Sequence, residues 1–195
     1  MSTTTQIKPR VNRKLAVEIA RDVLKQLRAK RYIAHNGTYC QVENLPFEVS
    51  PTSSFREAFK KEKEIQCNVC ALGSLFTSFV NLRNVFSVRQ VNKPKFRNMI
   101  PALRKSFDVR DLLLMEYAFE QGCVGILVNA KNRKYGWGMA PDEVVIGFRG
   151  RHVFTDSELN RVSNYGAQYP DSDQRLRLIM LNVIRNKGRF VVPQE

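Results

Sequence analysis

A chain of 195 residues that is 43% hydrophobic can bury one core, but it has no apolar run near the roughly eighteen residues of a membrane span, and its start, MSTTTQIKPRVNRK, lacks the apolar middle of a signal peptide. Four cysteines with a single close pair exclude the dense framework of a small secreted scaffold, so reduced thiols and a cytoplasmic location are expected, with no membrane contact. The 32 Lys and Arg against 18 Asp and Glu leave a net charge of +14 and a pI near 10, which favours polyanions and acidic protein surfaces as partners and says nothing of the fold.

Taken in chain order, residues 1–11 are polar and basic and read as a flexible arm ahead of a single domain over 12–195. Over 13–30, Leu15, Ile19, Val23 and Leu27 recur at helical spacing and Asn12 can cap the start, which predicts an amphipathic helix with a basic outer face. Asn36-Gly37 predicts a turn into a short strand over 38–43. A loop through Pro46 and Pro51 leads to Ser53 or Ser54, either of which can cap a helix reaching about Glu64.

Further on, Asp108 with Asp111 opens VRDLLLMEYAFEQ and Gly122 closes it. Its apolar residues cover most of the circumference, the pattern of a central, buried helix. Residues 124–128 read as a strand, and 144–148 with 152–154, joined around Arg149-Gly150, as a hairpin. Thr155 with Glu158 forms a capping box, and Asp171 to Asp173 cap a last helix whose face is Leu176, Ile179, Met180, Val183 and Ile184 before Gly188. The fold class expected is α+β, mainly helical, in one domain with a few short strands or one hairpin.

The charge is unevenly placed. Residues 1–31 hold nine basic side chains against Glu18 and Asp22, and residues 83–110 hold eight, among them Arg83, Arg89, Lys93, Lys95 and Arg97, against Asp108 alone. Residues 54–64 between them are nearly balanced, so the excess reads as a patch more than a coat. A second candidate surface is AKNRKYGWGMAPDE, where Lys131, Arg133 and Lys134 adjoin Tyr135 and the single tryptophan, Trp137. Cations beside aromatics suit single-stranded nucleic acid, the charges on phosphates and the rings on bases. The same loop also suits a partner protein's pocket, or folding back onto its own core.

The stretch CNVCALGSLFTSFV, at 67–80, admits three readings. Cys67 and Cys70 have the spacing of a zinc knuckle, but no second pair completes it. Cys70 at a helix N-terminus would have a lowered pKa and serve as a nucleophile, with His152 or His35 as base and Asp156 as orienter. The structural reading ranks first: the cysteines are buried, and Ala71, Gly73 and Ser74 let the helix over 109–121 approach closely.

The segments RYIAHNGTYC, CALGSLF, FDVRDLLLMEYAFEQG and RLRLIMLNVIRNKGRF, taken together, resemble a group of small uncharacterised proteins carried mainly by bacteriophages. The resemblance covers less than half of the chain. It implies a viral context, a shared core and a host-cell setting, with no catalytic role to transfer. The function expected is therefore that of a basic accessory protein of the host-takeover or anti-defence kind. It acts by binding, to nucleic acid or to an acidic host protein, and no cofactor is implied. The alternative is a thiol-dependent hydrolase or transferase centred on Cys70.

Overall fold

The computed structural model describes residues 11–120 and 154–192, apart from the side chain of Asp156. Helix α1 (Arg13–Arg28) starts as its sequence predicts, with Asn12 accepting a hydrogen bond from the Leu15 N–H at 3.1 Å. It stops two residues earlier than expected, because Lys30 turns the chain with φ at +56°. Strand β1 (Tyr32–Ala34) follows, then the Asn36-Gly37 turn and β2 (Cys40–Glu43), within the predicted strand. Helix α2 (Phe55–Lys61) is capped by Ser54, and β3 (Gln66–Val69) leads directly into α3 (Ala71–Arg83).

The sheet has the order β1-β3-β2, with β1 parallel and β2 antiparallel to β3. Register places Tyr32 opposite Cys67 and Cys40 opposite Val69, so these four share the buried face of the sheet. The chain reaches β3 before it can begin α3, so Cys67 belongs to a strand and Cys70 to a helix cap. CNVC is thus split between two elements. Every residue of α3 from Ala71 to Val80 is buried. It, rather than the helix over 109–121 alone, is the central element, packed by α1, α2, the sheet and two later helices.

Residues 84–105 carry two helices that the periodicity did not announce, α4 (Val88–Val91) and α5 (Phe96–Leu103). Both are short and Pro101 lies within α5, which hides an otherwise amphipathic pattern with Phe96, Met99, Ile100 and Leu103 inward. Helix α6 (Val109–Phe119) begins at the Asp108 cap and has every residue from Asp111 to Phe119 buried. Helix α7 (Asp156–Ala167) is capped by Thr155 through the Glu158 N–H, and α8 (Ser172–Arg185) by Asp171 through the Gln174 N–H at 2.7 Å. Among the described residues there are thus eight helices and one three-stranded mixed sheet, the mainly helical α+β class expected. One hydrophobic cluster runs from Leu15 to Phe190.

Three features tie the ends together. Gly166 lets α7 lie against α6, since a Cβ there would sit 1.9 Å from the Ala118 carbonyl oxygen. Arg13 spans to Asp111 at 3.3 Å and to the Gly188 carbonyl at 2.9 Å, closing α1 onto α6 and the C-terminal turn. Arg175 is buried and donates to the carbonyls of Tyr169 and Pro170, both at 2.8 Å, and of Phe119, so it closes the C-terminal end of α6. Among the described residues no helix is long and apolar enough to cross a membrane.

The arm over 1–10, the strand over 124–128, the hairpin over 144–148 and 152–153 and the Gly122 stop lie outside the described residues, and Phe154 is in no strand.

Candidate functional site

The first candidate is the start of α3. Cys70 is the N-cap, its Sγ accepting from the Gly73 N–H at 3.3 Å and donating toward the Tyr39 carbonyl at 3.9 Å. The next free N–H, of Leu72, donates to Oε2 of Glu116 on α6 at 3.0 Å, and the Ser74 N–H bonds the Cys70 carbonyl at 2.9 Å. A carboxyl side chain from another helix thus completes the cap. Glu120, one turn on from Glu116, accepts from the Gly37 N–H at 3.1 Å, and Arg175 on α8 and His35, just after β1, act on its charge.

These electrostatics run against the nucleophile reading. Cys70 is completely inaccessible to solvent, and burial first, then the nearby Glu116, push its pKa well up. The Gly73 N–H pulls the other way and loses. Desolvation disfavours the thiolate and here outweighs the helix N-terminus that would favour it. The expected depression of its pKa is therefore corrected to a rise. Glu116 is itself raised to about 8, by burial and then by the charge of Glu120, so it is a neutral acid near pH 7.

Gly73 admits a different neighbour from the one expected. A Cβ at this position would lie 1.2 Å from the Tyr39 carbonyl oxygen, so the small residue accommodates the chain entering β2, not α6. The carboxyl of Glu116 carries the α3–α6 contact at this end instead. Cys67 interacts with Cys40 on the neighbouring strand, and that hydrogen bond first, then burial, raise its pKa well above the ordinary thiol value. Among the described residues no group of three or more His, Cys, Asp or Glu side chains is arranged to hold a metal ion. Cys67 and Cys70, the knuckle pair, therefore gain no third ligand there. His152 and Cys123 lie outside the described residues, and of Asp156 only the backbone, at the first position of α7, is described.

A buried thiol with partners makes two measurable statements. In native protein at pH 7.5, peptide mapping after an iodoacetamide pulse should find Cys40, Cys67 and Cys70 unmodified on the timescale that labels an exposed cysteine. Cys70→Ser should cost less than about 1 kcal/mol, because a serine hydroxyl is a good N-cap and finds the Gly73 N–H and Glu116 in reach. The larger loss expected of a partnerless hydroxyl does not apply here. Rapid labelling of Cys70 would restore the nucleophile reading.

The second candidate is the basic surface. From residue 65 to residue 107 the chain contains no Asp or Glu, and it carries Arg83, Arg89, Lys93, Lys95, Arg97, Arg104 and Lys105, all exposed. None of these seven takes part in an ion pair among the described residues. They are mounted on fixed backbone. Lys93, with φ at +53°, donates its N–H to the Cys40 carbonyl at 2.7 Å, and Asn92 Oδ1 accepts from the Val42 N–H at 3.0 Å, so this turn covers the edge of β2. Arg97, in the first turn of α5, and Arg104, its C-cap, are seven residues apart.

The start of α1 joins this surface through its backbone: the Asn12 N–H donates to the Lys105 carbonyl at 2.8 Å. Other cations of the two blocks are committed inside. Arg13 pairs with Asp111, and Arg110 with Glu158. Arg31 bonds the Glu62 and Ile65 carbonyls and lies 3.6 Å from the centroid of the Phe59 ring.

Lys131, Arg133, Lys134, Tyr135 and Trp137 lie outside the described residues. The described surface supplies one aromatic that sequence alone did not single out, Phe47, which is 102% exposed on the loop after β2. The adjoining Pro46 was its only local signal. No protein-family model, no curated protein and no solved structure matches this chain.

Proposed function

We propose that the protein is a nucleic-acid-binding accessory protein of the type found in bacteriophages, acting in the host cell by binding and not by turnover. The observation that carries this reading is the acid-free stretch over 65–107, which presents seven exposed, unpaired cations on α3, α4, α5 and the turns between them. Unpaired cations on a rigid support attract a phosphate backbone without reorganising, and they release its condensed counterions. Tyr135 and Trp137, beside Lys131, Arg133 and Lys134 in the sequence, would supply base stacking. The buried Cys70 and neutral Glu116 favour a structural role for the α3 start, against the hydrolase or transferase alternative.

Fluorescence anisotropy with single- and double-stranded oligonucleotides, titrated at several salt concentrations, tests this. Five or more phosphate contacts should give a log–log salt slope steeper than about 3.5, and the Arg97→Ala/Arg104→Ala double variant should flatten it by roughly 1.4 to 1.8. Binding weaker than micromolar to both probes at low salt, with salt-sensitive capture of one acidic host protein, would replace nucleic acid by a protein target.

A further inference from the structure

We propose that the cleft between α7, α8 and the C-terminal tail is a binding site for a phosphorylated nucleoside, separate from the α3–α5 surface. The cleft encloses about 520 Å³, within the range of roughly 300 to 1,000 Å³ typical of small-ligand sites. Arg161 and Arg185 line it from facing helices, together with Tyr165 and Tyr169, and among the described residues no acidic side chain lines it. It is thus a concave site with cations for a phosphate and rings for a base.

Two details suit the cleft to a ligand. The Nε–H of Arg161 is buried and has no hydrogen-bond acceptor among the described residues, an unmet donor on a side chain that lines the cleft. The carboxylates lining the adjoining hollow of about 340 Å³ do not supply one, since Asp111 is held by Arg13 and Glu158 by Arg110. Second, the aromatic wall is fixed in advance. The Tyr165 hydroxyl donates to the Leu178 carbonyl at 3.4 Å, and its ring meets Phe190 and Tyr169 edge-on, with centroids 6.0 and 6.2 Å away. The hydroxyl of Tyr169 makes no hydrogen bond among the described residues and remains for a base or ribose. Asn182 holds the tail that closes the cleft, donating to the Val191 carbonyl at 2.7 Å and accepting from the Val191 N–H at 3.0 Å. A guanidinium pair recognises phosphate in a way that a single ammonium does not.

Calorimetric titration with adenosine monophosphate, adenosine, inorganic phosphate and a 5′-phosphorylated oligonucleotide tests the site on the full chain. The monophosphate should bind at least about tenfold more tightly than adenosine or phosphate alone, because both halves of the cleft are then used. Tighter binding of the 5′-phosphorylated oligonucleotide than of its unphosphorylated form would identify a strand end as the source, and a preference for the mononucleotide would identify a free one. Arg185→Gln, at an exposed position in the last turn of α8, should weaken the monophosphate at least about tenfold, and so should Arg161→Gln. Arg97→Ala/Arg104→Ala should leave it unchanged, which separates this site from the surface proposed above. Equal binding of monophosphate and phosphate, or an unaltered affinity in the folded Arg185→Gln protein, would overturn the proposal.

Discussion

Gly73→Ala is expected to remove more than about 5 kcal/mol of stability, enough to leave little native protein at 25 °C in a domain of ordinary total stability. A Cβ on residue 73 would lie 1.2 Å from the Tyr39 carbonyl oxygen, 2.2 Å from its carbon and 3.0 Å from its Cα, so backbone must move, not a side-chain tip. That backbone has little room to yield. The Cys70 N–H bonds the Thr38 and Tyr39 carbonyls at 3.0 and 3.3 Å, and one residue on Cys40 pairs with Val69 in the sheet. Displacing Tyr39 therefore opens the β2–β3 ladder and the cap of α3 together. Gly37→Ala is the matched control. Its Cβ meets nothing within 4 Å, and only the φ of +76° opposes it, so about 1 kcal/mol is expected from the left-handed backbone alone. Urea denaturation followed by circular dichroism distinguishes the two. A Gly73→Ala midpoint close to that of Gly37→Ala would show that β2 can move away from α3 cheaply.

What the sequence made legible follows from how each element is encoded. Helices α1 and α8 carry both a cap and an apolar period, and α6 and α7 open on a cap that the sequence shows: Asn12, Asp108, Thr155 and Asp171 all act as N-caps. Strand β3 had no such support. Its four residues alternate in burial, but they adjoin the all-buried start of α3, and the apolar run conceals the change of period at Cys70. Helices α4 and α5 are too short to show a period, so their stretch was legible only as charge. That charge was nonetheless the more useful signal, since all five residues singled out between Arg83 and Arg97 are exposed.

The candidate sites divide in the same way. The position of Cys70 at a helix start was readable from Cys-x-x-Gly. Its environment was not, because Glu116 reaches it from 46 residues away in sequence. A glutamate inside an apolar helix is the only trace such a contact leaves. Arg161 and Arg185 likewise line one cleft from two helices, and nothing local distinguishes them from the other surface cations.

Glu116 should make stability fall as pH rises through the neutral range. Its folded pKa is raised from 4.5 to about 8, by burial first and by Glu120 second. Below pH 4 the carboxyl is protonated in both folded and unfolded chains and does not affect the balance. Between these values the unfolded chain releases the proton and the folded one keeps it, so stability declines by about 1.4 kcal/mol per pH unit. Above pH 8 both are ionised, and the accumulated loss is on the order of 5 kcal/mol. Every group facing this carboxyl bears on the sign. Cys70 is a neutral thiol, Glu120 is raised by burial in the same direction, and His35 and Arg175 oppose that rise at Glu120 without reversing it. Asp111, in the first turn of α6, is also raised by burial in spite of Arg13, and adds a decline of the same sign. Glu116→Gln keeps an acceptor for the Leu72 N–H and cannot ionise. Urea midpoints at pH 5, 6.5 and 8.5 should therefore find the variant close to wild type at pH 5 and several kcal/mol more stable at pH 8.5, with only the residual slope from Glu120 and Asp111 remaining. Parallel pH profiles for the two proteins would mean that Glu116 is ionised in the folded chain at neutral pH, and that the cap of α3 is a charged carboxylate open to water.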